Sequence, residues 1–186
     1  MPSLNRGFLE GLRDDVSKYR CFIETGTLEG DTTFAMEPLF DKLYTIEYSE
    51  KFYNIARNKY HGNKIEFILG DSSIEFEKLL PRIYERAIFF LDGHWSGGDT
   101  GQSSKDCPLE EEITHINNLF THEAIIIIDD FRLFGLGGPV GRLNEDWSNI
   151  SKGKLLSIVS SRLEQVYHLD SSCAPNDRLI MHIRAQ

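Results

Sequence analysis

The sequence has little cysteine: only Cys21, Cys107 and Cys173, widely spaced and with no C-x-x-C pair. An odd, scattered set of thiols argues against a disulfide framework and against a zinc knuckle, and leaves reduced cysteines in a cytosol as the simpler expectation. Basic charge is also short. Lys and Arg number 20 against 29 Asp and Glu, a formal net charge of −9 that would repel a phosphate backbone, and no local basic patch offsets it. Nucleic acid is therefore not an expected partner. Long hydrophobic runs are missing too. The longest, Ala124 to Ile128, is far too short to span a bilayer, and no apolar segment follows the first charges as a secretory leader would require. The expectation is a cytoplasmic protein without a membrane partner. Repeats, low-complexity tracts and linkers are absent as well, and 186 residues with 40% hydrophobic content suit one domain over 1–186.

What is present is alternation. Cys21–Glu24, Leu43–Glu47, Ile65–Leu69, Ala87–Leu91 and Ala124–Ile128 read as five β-strands. Amphipathic stretches at Thr32–Phe40, Ser49–Tyr60, Ser72–Ile83 and Leu109–Phe120 read as the helices between them, the last opening on acidic residues suited to a positive helix N-terminus. Continuously apolar runs such as AIFFL and AIIII belong to parallel strands buried on both faces, so the right-handed crossover rule predicts a doubly wound sheet. A further helix is expected over about Leu4–Lys18, and another near Ser151–Arg162. The runs EQVYHL and DRLIMHIR, joined by the turn-rich DSSCAPND, predict a terminal hairpin with an antiparallel last strand. Two long loops, WSGGDTGQSSKDCP and FRLFGLGGPVGRLNEDW, follow the fourth and fifth strands at the edge where such sheets bind ligands, and are expected to form an acceptor pocket.

The first strand runs into ETGTLEGDTT, which places Glu24, Gly26 and Gly30 at a strand-to-helix turn where a ligand can approach the backbone. The glycine spacing is not the G-x-G-x-x-G of dinucleotide enzymes, and Glu24 would repel a pyrophosphate; a cationic sulfonium and amino group suit it better. Glu47, about twenty residues beyond Gly26, is placed to accept two ribose hydroxyls. Asp71 and Ser72, after the third strand, could reach an adenine amino group and ring nitrogen, although Ser49 and Ser72 are equally suited to capping the helices they precede.

In order and spacing, FIETGTLEGDTT, YTIEYS, FILGDSS and FFLDGHW resemble the motifs of class I S-adenosylmethionine-dependent methyltransferases, over nearly the whole chain. The resemblance implies a Rossmann-like α/β fold, with a seven-stranded, mostly parallel sheet of order 3-2-1-4-5-7-6, the last strand antiparallel and helices on both faces. It implies Glu24 near the methionine moiety, Gly26, Thr27 and Gly30 beside the cofactor, Glu47 on the ribose, and Asp71 and Ser72 at adenine, with Asp92 also at the cofactor. Leu28 departs from the pattern, standing where many members carry a middle glycine.

Asp92, Asp129 and Asp130 come to neighbouring strand ends, and three clustered carboxylates call for a cation; oxygen ligands select Mg²⁺ or another hard divalent ion. Capping of turns is the alternative for each aspartate alone. The same residues resemble the metal-dependent O-methyltransferases of the catechol and macrolide-sugar types, which implies metal ligation by Asp92, Asp129 and Asp130 and a catalytic pairing of Asp92 with His94 as candidate base. The Asp-Gly-His spacing is one residue shorter than in the macrolide-sugar enzymes. Trp95 is read as shaping the pocket, and His61, His115, His122, His168 and His182 as structural. The expected activity is metal-assisted O-methylation of a small hydroxylated acceptor: a sugar, a phenol or a secondary metabolite. The alternatives are a metal-independent methyltransferase of the same fold and a cofactor-binding module without turnover; glycine spacing disfavours a nicotinamide dehydrogenase. Assembly into a homo-oligomer is left open.

Overall fold

The computed structural model describes residues 2–94, 107–137 and 146–186. Seven strands, β1 (Cys21–Thr25), β2 (Lys42–Glu47), β3 (Ile65–Leu69), β4 (Ala87–Leu91), β5 (Ala124–Ile128), β6 (Leu163–Leu169) and β7 (Arg178–Ile183), form one sheet of order β3-β2-β1-β4-β5-β7-β6. The pairs among β1 to β5 are parallel, while β7 runs antiparallel to both β5 and β6. Fold class, strand order and the antiparallel terminal hairpin are as the sequence predicts.

The continuous apolar runs have a simple cause. Successive strand residues face opposite sides of the sheet, and here both sides are cores. Ala87, Phe89, Leu91, Ala124, Ile126 and Ile128 face one core, with Phe76 of α4 (Ser72–Leu79) and Ile113 of α5 (Leu109–Leu119). Ile88, Phe90, Ile125 and Ile127 face the other, with Leu4, Leu9 and Leu12 of the N-terminal segment and Met36 of α2 (Asp31–Met36). Each of the Leu, Ile, Phe and Met side chains contributes roughly 1.5–3 kcal/mol on burial. The remaining helices are α1 (Arg6–Leu9), α3 (Glu50–Lys59) and α6 (Lys152–Ile158).

Three helices differ from expectation. The single helix expected over Leu4–Lys18 is instead the one-turn α1 and a separate 3-10 turn, Val16–Lys18. Gly7 within α1 and Gly11 after it weaken helix propensity, and Asp15 starts the second turn afresh by accepting from the Ser17 amide. Both α2 and α4 tighten into 3-10 turns at Pro38 and Pro81, which supply no N–H to continue an α-helix. Residues 95–106 and 138–145, the bulk of the two long loops, lie outside the described residues, and with them Trp95 and the expected acceptor pocket. Among the described residues no helix is long and apolar enough to cross a membrane.

Candidate functional site

β1 pairs with β2 on one side and β4 on the other, so the strand order reverses between β1 and β4 and the crevice of the sheet opens beyond their carboxyl ends. There the Asp92 amide donates to the Thr25 carbonyl at 3.2 Å, drawing the two loops together. Gly26 lies at φ +84°, and a Cβ on it would stand 2.3 Å from the Asp92 carbonyl oxygen. Only glycine fits. Gly30, also left-handed, is the N-cap of α2. Between them Leu28 holds φ 47°, a conformation that costs an L-residue of order 1–2 kcal/mol. Its amide is directed at Glu47 Oε2, 2.8 Å away, while Ser49 N donates to Glu47 Oε1 at 2.8 Å. Leucine thus takes up at this position the backbone region that glycine reaches without strain, and the Glu47 bond helps to hold it there. Burial pushes the Glu47 carboxyl up, and these amides oppose the push.

Glu24 and Thr27 lie beneath the loop. Glu24 is buried and accepts from Thr33 Oγ1 and, at 3.1 Å, from Thr45 Oγ1. The Thr27 and Thr45 hydroxyls share a 2.5 Å hydrogen bond. Desolvation pushes the Glu24 carboxyl up to about 8 against the two hydroxyl donors, and these bonds tie α2 and β2 to the base of the loop.

Asp71 is the N-cap of α4; its Oδ1 accepts from Ser73 N at 3.0 Å and Ser73 Oγ at 2.6 Å, and Oδ2 carries no bond among the described residues. Ser72 is not the cap. Its hydroxyl donates to Glu112 Oε1 at 2.5 Å. Glu112 was missed by the sequence reading, which took the run Glu110, Glu111 and Glu112 as acidic residues at a helix N-terminus. The signal was there: Leu109, Glu112, Ile113 and Ile116 share the inward stripe of α5, and all four are buried.

On the other side of the crevice the chain turns at Asp130, which sits in the left-handed region at φ 58° and ψ 34°. Beyond that bend the two acids take different partners. Asp129 is buried against Arg178 of β7, and Asp130 instead meets His94, Nε2 to Oδ2 at 3.1 Å, and Arg132, Nη1 to Oδ1 at 2.5 Å. His94 Nδ1 stands 3.7 Å from Asp92 Oδ1, and its ring packs edge-on against buried Trp147 at 4.9 Å. The Asp92 carboxyl is held well above the usual range by desolvation and by the charges of Asp129, Asp130 and Glu24, with Arg178 opposing. Asp92, Asp129 and Asp130 are each present at this edge of the crevice. Two groups of potential metal ligands occur among the described residues, Asp92 with His94 and Asp130, and Asp129 with Asp130 and Asp177. Asp129 and Asp130 offer carboxylate oxygens within 4.8 Å of one another, and Arg178 engages the first. Asp177 is itself engaged by Arg132 and by Ser171 Oγ at 2.6 Å.

A glycine-walled loop against a carbonyl, an acid at the end of β2, and an imidazole between two carboxylates can seat an extended polar ligand and move a proton at its far end. No family model matches the sequence, and no curated protein matches it. Solved structures do resemble it. A provisionally assigned methyltransferase from Streptococcus mutans, in complex with SAH, has a TM-score of 0.58 at 17% identity, covering 91% of this chain and 90% of that one. An rRNA methylase from Streptococcus thermophilus has a TM-score of 0.54 at 16% identity, with 92% of each chain covered. The magnesium protoporphyrin IX methyltransferase of Synechocystis, with bound SAM, has a TM-score of 0.55 at 14% identity, covering 91% of this chain and 72% of that one. With its sheet order β3-β2-β1-β4-β5-β7-β6, the chain has the Rossmann-like fold of the S-adenosylmethionine-dependent methyltransferases.

Proposed function

We propose that the protein is an S-adenosylmethionine-dependent methyltransferase that methylates an oxygen of a small hydroxylated acceptor, a sugar, phenol or secondary metabolite, assisted by Mg²⁺ or another hard divalent cation. The observation that carries the reading is the closure of Gly26 on the Asp92 carbonyl at the point where the strand order reverses, beside a Glu47 already oriented by two backbone amides. Glu47 retains lone pairs for ribose hydroxyls, and Asp71 and Ser72 border the expected adenine end. Bound cofactor supplies a methyl group on a good leaving group, so the protein's task is alignment and proton removal.

Asp92 and Asp130 would hold the cation by carboxylate oxygens, a donor set suited to hard ions; Asp129, neutralised by Arg178, stands outside that set. When bound, the cation supplies positive charge that favours proton loss from an acceptor hydroxyl. His94, oriented by Asp130, accepts that proton. Calorimetry with SAH tests the cofactor reading: affinity in the micromolar range, about −8 kcal/mol, is expected. No heat and no thermal shift at millimolar SAH would remove it. Transfer that persists in chelator would favour a metal-independent methyltransferase, and tight SAH binding without transfer across a broad acceptor panel would favour a binding module.

A further inference from the structure

A carboxyl group buried in an apolar helix stripe is costly unless polar partners hold it, and Glu112 is completely buried. Its surroundings come from three segments far apart in sequence. Ser72, at the start of α4, donates to Oε1 at 2.5 Å. Thr25, the last residue of β1, brings its hydroxyl beside the carboxyl and lowers its pKa, though the alignment is too poor to satisfy Thr25 Oγ1 or Glu112 Oε2, both of which are buried. Gly93, directly after Asp92, passes over both, and a Cβ there would lie 2.9 Å from Thr25 Oγ1 and 3.4 Å from Glu112 Oε1. These are the segments that carry Gly26, Asp71 and Asp92.

We infer that Glu112 is a positioning residue for the cofactor crevice: it sets the spacing between the β1 loop, the start of α4 and the Asp92–Gly93 segment, so that all three face one ligand. The inference rests on the proposed cofactor reading. The isolated acid has no other evident use, since hydrophobic side chains surround it on α5 and a leucine or methionine would satisfy packing alone. Desolvation pushes its carboxyl up to about 7, with Ser72 pulling it down, which fits a group retained for its polar contacts.

The test compares SAH affinity by calorimetry with melting temperature in the full chain, for the parent, Glu112→Met and Glu112→Gln. Glu112→Met keeps the volume without an acceptor oxygen; it should melt no lower than the parent yet bind SAH at least about tenfold more weakly, a loss of roughly 1.4 kcal/mol. Glu112→Gln, whose amide oxygen can still accept from Ser72, should stay within about threefold of the parent. A purely structural role would move melting temperature and leave affinity unchanged, so a folded Glu112→Met with parental affinity overturns the inference. If that variant does not fold, Glu112→Asp replaces it: a folded protein with weakened binding supports the role, and one with parental binding overturns it. A parent that binds no SAH defeats the functional reading itself and this inference with it, a result separable from any difference among variants.

Discussion

Arg178 of β7 closes on Asp129 at the end of β5, Nε to Oδ1 at 3.3 Å and Nη2 to Oδ2 at 3.4 Å, and the same Nη2 donates to the Ser3 carbonyl at 2.7 Å. The guanidinium also lies 4.7 Å from the centre of the Phe8 ring. One buried cation thus joins the last strand, the edge of the crevice and the N-terminal segment, which is tied at its other side by the Ser3 amide to Thr32 Oγ1.

Removing one member of this pair strands the other in a buried setting. Arg178→Met should therefore lower stability by about 3–5 kcal/mol, whereas adding Asp129→Asn should return a substantial part of the loss. Urea unfolding of both single variants and the double variant measures the coupling; simple additivity would show that the pair does not interact.

The different partners of Asp129 and Asp130 predict a selective metal response. Mg²⁺ should raise the melting temperature of the parent and of Asp129→Asn, and should leave Asp92→Asn and Asp130→Asn unmoved, because a ligand stabilises only the state that binds it. Loss of the shift in Asp129→Asn alone would restore that residue to the ligand set.

At Gly26 two effects act together, a left-handed φ and a Cβ 2.3 Å from the Asp92 carbonyl. Gly26→Ala should weaken SAH binding more than tenfold and lower the melting temperature, since the clash can be relieved only by parting the β1 loop from Asp92. Parental SAH affinity in this variant would mean that the ligand sits elsewhere.

Glu24 gives a pH signature. Its folded carboxyl lies near 8, above its ordinary 4.5, so between these values the unfolded chain has released a proton that the folded chain keeps. Its contribution is complete below about pH 4.5 and is lost as pH rises to about 8. Relative to the parent, Glu24→Gln should gain stability toward pH 8 and show a flatter profile. Parallel profiles for the two proteins would contradict the assignment.

His94→Ala should lower turnover about 10²–10⁴-fold with SAH affinity almost unchanged, the expected result for a general base facing the acceptor. Equal turnover across neutral pH would reduce His94 to a packing residue against Trp147.

Much of this architecture is legible in sequence because the parallel strands are buried on both faces: AIFFL and AIIII can hardly be anything else once helical stretches separate them. The glycine positions are legible for the same kind of reason, a backbone demand expressed in one residue type. What the sequence hides is direction. Nothing in Asp129-Asp130 tells that the second residue turns left-handed and the first meets an arginine 49 positions away. Likewise Ser72 reads as a cap or a ligand contact until α5 brings Glu112 to its hydroxyl, 40 positions distant. The helix over Leu4–Lys18 failed for a local reason, since its hydrophobic spacing is obeyed by buried Leu4, Leu9 and Leu12 without the backbone being helical throughout.

The place of β7 has a consequence for how the chain is made. It is last in chain order but interior in the sheet, between β5 and β6. Until residues 178–183 have left the ribosome, β5 is an open edge of five consecutive apolar residues, the kind of surface that pairs with other chains. Chains that stop short of β7 should for that reason depend on chaperones and aggregate when these are scarce, whereas in the folded sheet β7 covers the edge.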